Sequence, residues 1–169
     1  MASRPRKGRY RGASASSVAS KSVPGTPPTH GEVVPEVTTG RERAGKTLDG
    51  FDIVAAVPSA ITDEPEQARS KLRKDLIPYF SLPFYRKMIE RSGYEDDVSA
   101  FDAGMEQGGP KAALEAISDR FLENLAAIGT RAEAEASVRR YADAGATSPC
   151  VGGVPGTDFD ATLEALAPG

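Results

Sequence analysis

Tryptophan is absent from this sequence, and cysteine and histidine occur once each. A lone cysteine cannot close a disulfide within the chain. Cys150 and His30 together fall short of the four protein ligands of a structural zinc site. Aromatic residues make up only 7%, and no apolar run approaches the roughly 18 residues of a membrane span. The apolar stretch of a secretory signal is missing as well. The expectation is a cytoplasmic protein in a reducing setting, with no membrane partner. At 169 residues the chain is too short for a complete (β/α)8 barrel, which needs roughly 200 or more.

Acidic residues are missing from the first 31 positions. Arg4, Arg6, Lys7, Arg9, Arg11 and Lys21 give that stretch +6, so the remainder of a chain with net charge −3 carries −9. Large apolar side chains are scarce there too, and Ser14-Ala15-Ser16-Ser17 and Pro24-Gly25-Thr26-Pro27-Pro28 follow. Such a stretch cannot bury enough surface to offset chain entropy. Residues 1–31 are therefore expected to be a disordered basic arm, and residues 32–169 the folded part. Three roles for the arm stay open: contact with nucleic-acid phosphates, an organelle transit peptide, or a solvated extension without function. Tyr10 is its only aromatic residue, which argues against a nucleic-acid platform.

From Glu32 the pattern becomes regular. Val33, Val34, Val37 and Ala44 are spaced for a helix that stops at Gly45. Ile53 to Val57 is apolar in both parities, as in a parallel strand buried on both faces, and Pro58 is expected to end its ladder. Thr62-Asp63-Glu64-Pro65-Glu66 opens a helix capped by Asp63, with Ala68, Leu72 and Leu76 as its stripe and Pro78 as its end. An aromatic cluster, Tyr79, Phe80, Phe84 and Tyr85, leads into a short helix from Pro83 to Ser92, closed by Gly93. Gly104, Gly108, Gly109 and Pro110 mark a loop. Leu114, Ile117, Phe121, Leu125 and Ile128 then form the stripe of a helix from Lys111 to Ile128. Thr130 and Glu133 are a capping box for the next helix, which buries Ala134, Val138, Tyr141 and Ala142 and ends at Gly145. Ala146 to Val151 is a second strand, Gly152 to Gly156 a loop, and a short helix through Leu163 and Leu166 closes the chain. Alternating strands and helices imply a parallel α/β sheet. Two strands leave open edges that need partners.

Gly129-Thr130, the helix ending Arg139-Arg140-Tyr141-Ala142-Asp143-Ala144-Gly145-Ala146, and the strand after it resemble the luciferase-like monooxygenase superfamily. Phe51-Asp52-Ile53-Val54 with Thr62-Asp63-Glu64-Pro65 is similar to that family's seventh strand and the start of the following helix. Ile117-Ser118-Asp119-Arg120-Phe121 resembles members that use the deazaflavin coenzyme F-420. Arg131 stands where the family often has proline. The resemblance covers residues 32–169. It implies an incomplete (β/α)8 TIM barrel holding the last two βα units only, preceded by the arm. It further implies an oxidoreductase that transfers hydride or monooxygenates a small organic substrate with coenzyme F-420 or FMN. The first six βα units, and the cofactor positions on them, have no counterpart here. The isolated chain is therefore expected to bind no cofactor tightly and to be inactive. The alternative is a non-catalytic half-barrel module that self-associates through its exposed strand edges.

Active sites of such barrels lie at the C-terminal ends of the strands. Two strand ends remain, Pro58–Thr62 and Pro149–Gly153. The candidate cofactor contacts on them are Ser59 and Thr62, through hydroxyls, and Gly152 and Gly153, through closely approaching backbone. Each could equally serve a turn. No residue is assigned as catalytic or as a metal ligand. Gly40-Arg-Glu-Arg-Ala-Gly45-Lys46-Thr47 matches the phosphate-loop spacing, but a helix precedes it where a strand is needed. Cys150 is expected to be a buried thiol, since nothing basic is near it in sequence. His30 has no partner for nucleophilic chemistry. Glu95-Asp96-Asp97 reads as a hydrated loop.

Overall fold

A computed structural model describes residues 26–167. The chain forms helix α1 (Pro27–Arg43), strand β1 (Val54–Ile61), helices α2 (Pro65–Ser81) and α3 (Pro83–Ile89), a π-type turn (Glu90–Tyr94), helices α4 (Glu95–Ala116) and α5 (Asp119–Leu125), strand β2 (Ala127–Gly129), helix α6 (Arg131–Asp143), strand β3 (Ser148–Gly153) and helix α7 (Phe159–Leu166). The sheet is parallel, in the order β2-β1-β3. The two expected strands are neighbours, with Val54 opposite Ser148 and Ser59 opposite Gly153. A third strand, β2, joins them, with Ser59 opposite Ala127 and Ile61 opposite Gly129.

Helices cover both faces. Ala60 and Ile128 turn toward α2, α4 and α5, where Leu72, Leu76, Phe80, Phe101, Phe121 and Leu125 make the larger core. Ala55, Val57 and Ala127 turn the other way, onto Ala134 and Tyr141 of α6, with Leu166 of α7 against them. Successive strand residues thus alternate between two buried layers, which is why β1 is apolar in both parities.

Strand β1 runs through Pro58, contrary to the expected stop, and hydrogen-bond direction explains this. The Ser148 and Val154 amides donate to the Ile53 and Ser59 carbonyls, so odd-numbered residues of β1 address β3. The Thr62 amide donates to Gly129 at 3.0 Å, so even-numbered residues address β2. Stepping back four residues on both strands brings Pro58 opposite the Leu125 carbonyl, beyond the start of β2. That carbonyl accepts the Tyr141 hydroxyl at 2.7 Å instead. The amide that proline lacks has no partner to lose.

Five other departures have equally local causes. Helix α1 begins at Pro27, with the prolines at its first positions where no amide partner is needed, so residues 27–31 are helical rather than part of an arm. Residues 1–25 of the expected arm lie outside the described residues. Helix α2 continues past Pro78 to Ser81, because Phe80 extends the Leu72–Leu76 stripe into the core and Leu82-Pro83 supplies the stop. Its N-cap is Glu64 rather than Asp63; the Thr62 hydroxyl accepts the Glu64 amide at 3.0 Å. The expected loop at 104–110 lies within α4, which kinks at Gly109 (φ 68°) and folds its last turns back. Gly104 permits that packing, since a Cβ there would lie 2.7 Å from the Ala113 backbone. Glu95-Asp96-Asp97 is the first turn of α4, and buried Asp97 accepts the Ser118 amide at 2.8 Å.

The expected helix over 111–128 is divided. Ser118 caps α5, its hydroxyl accepting the Phe121 amide, and the chain becomes strand at Ala127. Ile117, Phe121, Leu125 and Ile128 are buried as their spacing requires, because the break preserves the direction of the stripe. The capping box at Thr130 and Glu133 forms as expected. Ala142 is exposed, since it lies beyond the layer that Tyr141 fills. Strand β3 starts at Ser148 and takes in Gly152 and Gly153, two residues later than expected, and Cys150 on it is exposed. An edge strand is covered on one side only. Among the described residues, no helix is long and apolar enough to cross a membrane.

Two measurements test this architecture. Tyr141→Phe leaves the buried Leu125 carbonyl without its hydroxyl and should cost about 1–3 kcal/mol in a urea melt. Arg86 grips Asp102 with two guanidinium nitrogens, Nη1 lying 2.7 Å from Oδ1, and these hydrogen bonds hold the carboxyl below its ordinary pKa. A carboxylate with a lowered folded pKa stabilises fully above its unfolded value and loses that contribution as the pH falls through the folded one. The stability gap between the wild type and Asp102→Asn should therefore close as the pH falls below the ordinary aspartate value of about 4. The gap itself should stay below about 1 kcal/mol, because the pair is half exposed.

Candidate functional site

The C-terminal ends of β1 and β3 converge on the loop 154–158. The Ser59 carbonyl receives the Val154 amide at 3.3 Å, and the Thr157 hydroxyl donates to the Val154 carbonyl at 2.7 Å. Lys71, one turn inside α2, ties the loop down by donating Nζ to the Gly156 carbonyl at 2.7 Å. Asp158 caps α7, and Thr162 of α7 accepts the Ile61 amide at 3.1 Å. Strand end, loop and two helices are thereby fixed to one another.

Two cavities open here. The first, of about 220 Å³, is lined by Thr62, Glu64, Gln67, Lys71, Thr157 and Asp158 among others. It is polar, with Glu64, Asp158 and Lys71 among its lining residues. The second, of about 210 Å³, lies on the α2 side of β1 and β3, between Ala56, Pro58, Gly152 and Gly153 and the α2 residues Leu72, Asp75, Leu76 and Tyr79. It is mainly apolar, with Asp75 and Tyr79 as its polar groups.

The four candidate residues divide between these places. Thr62 reaches the polar cavity, while its hydroxyl also accepts the Glu64 amide. Gly152 and Gly153 line the apolar one. A Cβ on Gly152 would meet nothing within 4 Å, whereas one on Gly153 would press on the Phe159 ring at 3.0 Å. Gly152 thus leaves space open, and Gly153 makes room for α7. Ser59 lies next to Gly153 in the ladder but is fully buried, and its hydroxyl donates to the Val57 carbonyl at 2.8 Å. It is committed to the strand. Lys71, Asp75, Tyr79 and Asp158 escape sequence reasoning. Leu72, Asp75, Leu76 and Tyr79 do share one helical stripe, and a carboxylate and a phenol within an apolar stripe are the signal that was there to be read.

A tricyclic cofactor needs more room than this. Small-molecule sites usually start at about 300 Å³. Neither cavity reaches that size, so neither encloses a tricyclic group.

The phosphate-loop spacing at Gly40–Thr47 falls on a helix C-terminus. The Gly45 amide donates to Glu42 and the Lys46 amide to Arg41, a Schellman closure that exhausts the end of α1. Carbonyls rather than amides point outward there, which repels phosphate. The aromatic cluster is divided in its placement: Phe80 is buried in the core, Tyr79 lines the apolar cavity, and Phe84 is 72% exposed.

A family model for luciferase-like monooxygenases matches residues 13–148. The chain belongs to that family. The match begins inside the basic stretch, so the likeness reaches further toward the N-terminus than the expected start at residue 32. It stops at the first residue of β3. A similar solved structure is that of the coenzyme F-420-dependent tetrahydromethanopterin reductase of Methanopyrus kandleri, with a TM-score of 0.65 and 19% identity over 83% of this chain. At that identity the likeness shows the fold: a part of a luciferase-like TIM barrel in which β1 and β3 are adjacent staves. The luciferase-like chain described here spans 41% of the reductase chain. No curated protein matches it in sequence.

The lysine tether gives a direct test of the site's rigidity. Lys71→Met removes the bond to Gly156, worth about 1 kcal/mol locally. Amide exchange over residues 154–158 should then quicken about fivefold at unchanged global stability, as read by mass spectrometry.

Proposed function

We propose that this chain forms the C-terminal wall of a cofactor site in an oxidoreductase of the luciferase-like family, one that transfers hydride to, or monooxygenates, a small organic substrate with coenzyme F-420 or FMN. The carrying observation is the pairing of β1 with β3, whose C-terminal ends open side by side on the two cavities. Ligands of parallel α/β sheets bind outside such strand ends. Among the candidate residues, Thr62 offers a hydroxyl, and Gly152 leaves flat backbone against which a ring could lie. Asp75 and Tyr79 supply the polar groups opposite that backbone. Ser59 is left out, because its hydroxyl is already spent.

The cofactor carries the redox chemistry when bound, and the protein positions it. A wall without its opposite side positions poorly. We therefore propose that the isolated chain is catalytically silent and binds the cofactor weakly, with its working setting in the cytoplasm.

Titration of FMN and of coenzyme F-420 into the purified chain, followed by cofactor fluorescence, tests this, with turnover assayed in parallel. Half-saturation is expected above roughly 100 µM, with no turnover. Gly152→Val fills the open space and should abolish even this weak signal while leaving the melting curve unchanged. Tight stoichiometric binding with turnover would refute the silent-wall reading. Unaltered binding in the valine variant would remove the apolar cavity from the site.

A further inference from the structure

We propose that the apolar cavity between α2 and the strand ends is a substrate subsite, one that takes a single aromatic ring bearing a cationic nitrogen group, with the Asp75 carboxylate as its counter-charge. That the ring belongs to a substrate rests on the cofactor reading above; its binding in this cavity does not. The reading is refined in one respect, since Asp75 is assigned to the substrate's nitrogen and not to the cofactor.

Size and lining set the ring. A dry apolar cavity of about 150 Å³ takes up benzene. This one, of about 210 Å³, has room for one aromatic ring with a few further atoms. Ala56 and Pro58 of β1 and Leu72 and Leu76 of α2 supply apolar walls. Gly152 supplies bare backbone, and a Cβ there would meet nothing within 4 Å. Tyr79 supplies an aromatic surface that is already held in place. Its ring meets that of Tyr85 edge to face at 4.9 Å, and Tyr85 meets Phe84 at 5.5 Å. A side chain fixed in this way loses little freedom when a further ring packs on it.

Charge sets the substituent. Among the described residues, Asp75 makes no hydrogen bond and no ion pair. By contrast Glu64, Glu133, Glu135 and Asp158, which line other cavities, are each engaged within the chain. The reason lies on α2. Lys71, one turn before Asp75, is its natural helical partner. It gives its Nζ to the Gly156 carbonyl at 2.7 Å instead. Lys74 lines a different groove, with Ser70, Arg73 and Lys111. The Tyr79 hydroxyl, one turn beyond Asp75, has no hydrogen-bond partner among the described residues either. Asp75 is exposed at the rim, so water serves its carboxylate and the free protein bears little desolvation cost. A ligand that fills the cavity displaces part of that water. A cationic N–H group restores the lost bonds and balances the charge, a neutral group restores less, and an anionic one adds repulsion. An amidinium matches best, because two parallel N–H groups meet both carboxylate oxygens. The phosphates of FMN and coenzyme F-420 have the wrong sign for this carboxylate.

The probe is benzamidine, a planar ring with an amidinium, titrated into the full chain and followed by the backbone amide shifts of Asp75, Tyr79, Gly152 and Gly153 in nuclear magnetic resonance. Half-saturation is expected near about 1 mM. Benzamide, the neutral analogue, should bind at least about tenfold more weakly. Benzoate, with the opposite charge, and guanidinium, with the charge but no ring, should give no saturable shift. Asp75→Asn should weaken benzamidine at least about tenfold while leaving benzamide binding unaltered, which separates lost charge from lost fold. Gly152→Val should abolish both. FMN titrated into Asp75→Asn should bind as it does to the wild type, or more tightly. Loss of the FMN signal in that variant would make Asp75 a cofactor contact and overturn the proposal. So would the absence of a saturable benzamidine shift at these residues, equal affinity for benzamidine and benzamide, or benzamidine binding indifferent to Asp75→Asn or to Gly152→Val. Benzamidine binding that follows this pattern in a chain that takes up no FMN would support the subsite and count against the cofactor reading alone.

Discussion

The described layers of this chain are placed by the pairing of β1 with its two parallel neighbours. Among the described residues β1 is the one strand with partners on both sides, and its odd and even residues divide that work. Odd residues bond to β3 and point their side chains at α6 and α7. Even residues point theirs at α2, α4 and α5, and from Ala60 onward they bond to β2. One eight-residue strand thus fixes two hydrogen-bond ladders and two cores at once. The constraint is tight, because a slip of one residue would exchange both the faces and the ladders. Pro58 is tolerated at a single kind of position, an even one lying short of β2, and it stands there.

Tyr141 shows how the two layers are joined. It projects from α6 into the layer beneath the sheet and delivers its hydroxyl to the last turn of α5, which belongs to the opposite layer. Burial pushes its pKa well up, so the phenol stays protonated and remains a donor at any physiological pH. The carbonyl it serves is the one that Pro58 cannot serve. A proline in the central strand and a tyrosine eighty-odd residues later are therefore two parts of one hydrogen-bond account.

The buried helix stripe from Ile117 to Ile128 was legible in the sequence, and the element boundaries within it were not. Ile117, Phe121, Leu125 and Ile128 are all buried, as their spacing demands, yet two helices and a strand share them. A stripe of threes and fours survives a break when the break keeps its direction, and Ser118 provides such a break. β2 is three residues long, too short for alternation to stand out from helical spacing. The caps at Thr130 and Gly45 were legible because they are local chemistry. Pro58 and Pro78 misled because the rule that proline ends an element assumes its amide would have had a partner or its ring a clash. Whether it would depends on tertiary neighbours that a sequence does not display. The candidate site was half legible for the same reason. Strand ends can be found by pattern, which led to Thr62, Gly152 and Gly153. The helix residues facing them, Asp75 and Tyr79, depend on how α2 lies across the sheet. Ser59 shows the converse error, a hydroxyl at the right place in the chain but already engaged by the carbonyl two residues back on its own strand.

The small cavities and the open edge have a common origin. The apolar cavity runs up to Gly152 and Gly153, which lie on β3, and among the described residues both the ladder and the cavity wall end at that strand. In a closed barrel each strand contributes a stretch of ladder and a stretch of wall together, because side chains and backbone bonds leave the same residues at right angles. An element that completed the ladder on β3 would thus extend the wall in the same step. The geometry sets the order of dependence: the size of these cavities is secondary to what lies against the outer edge of β3.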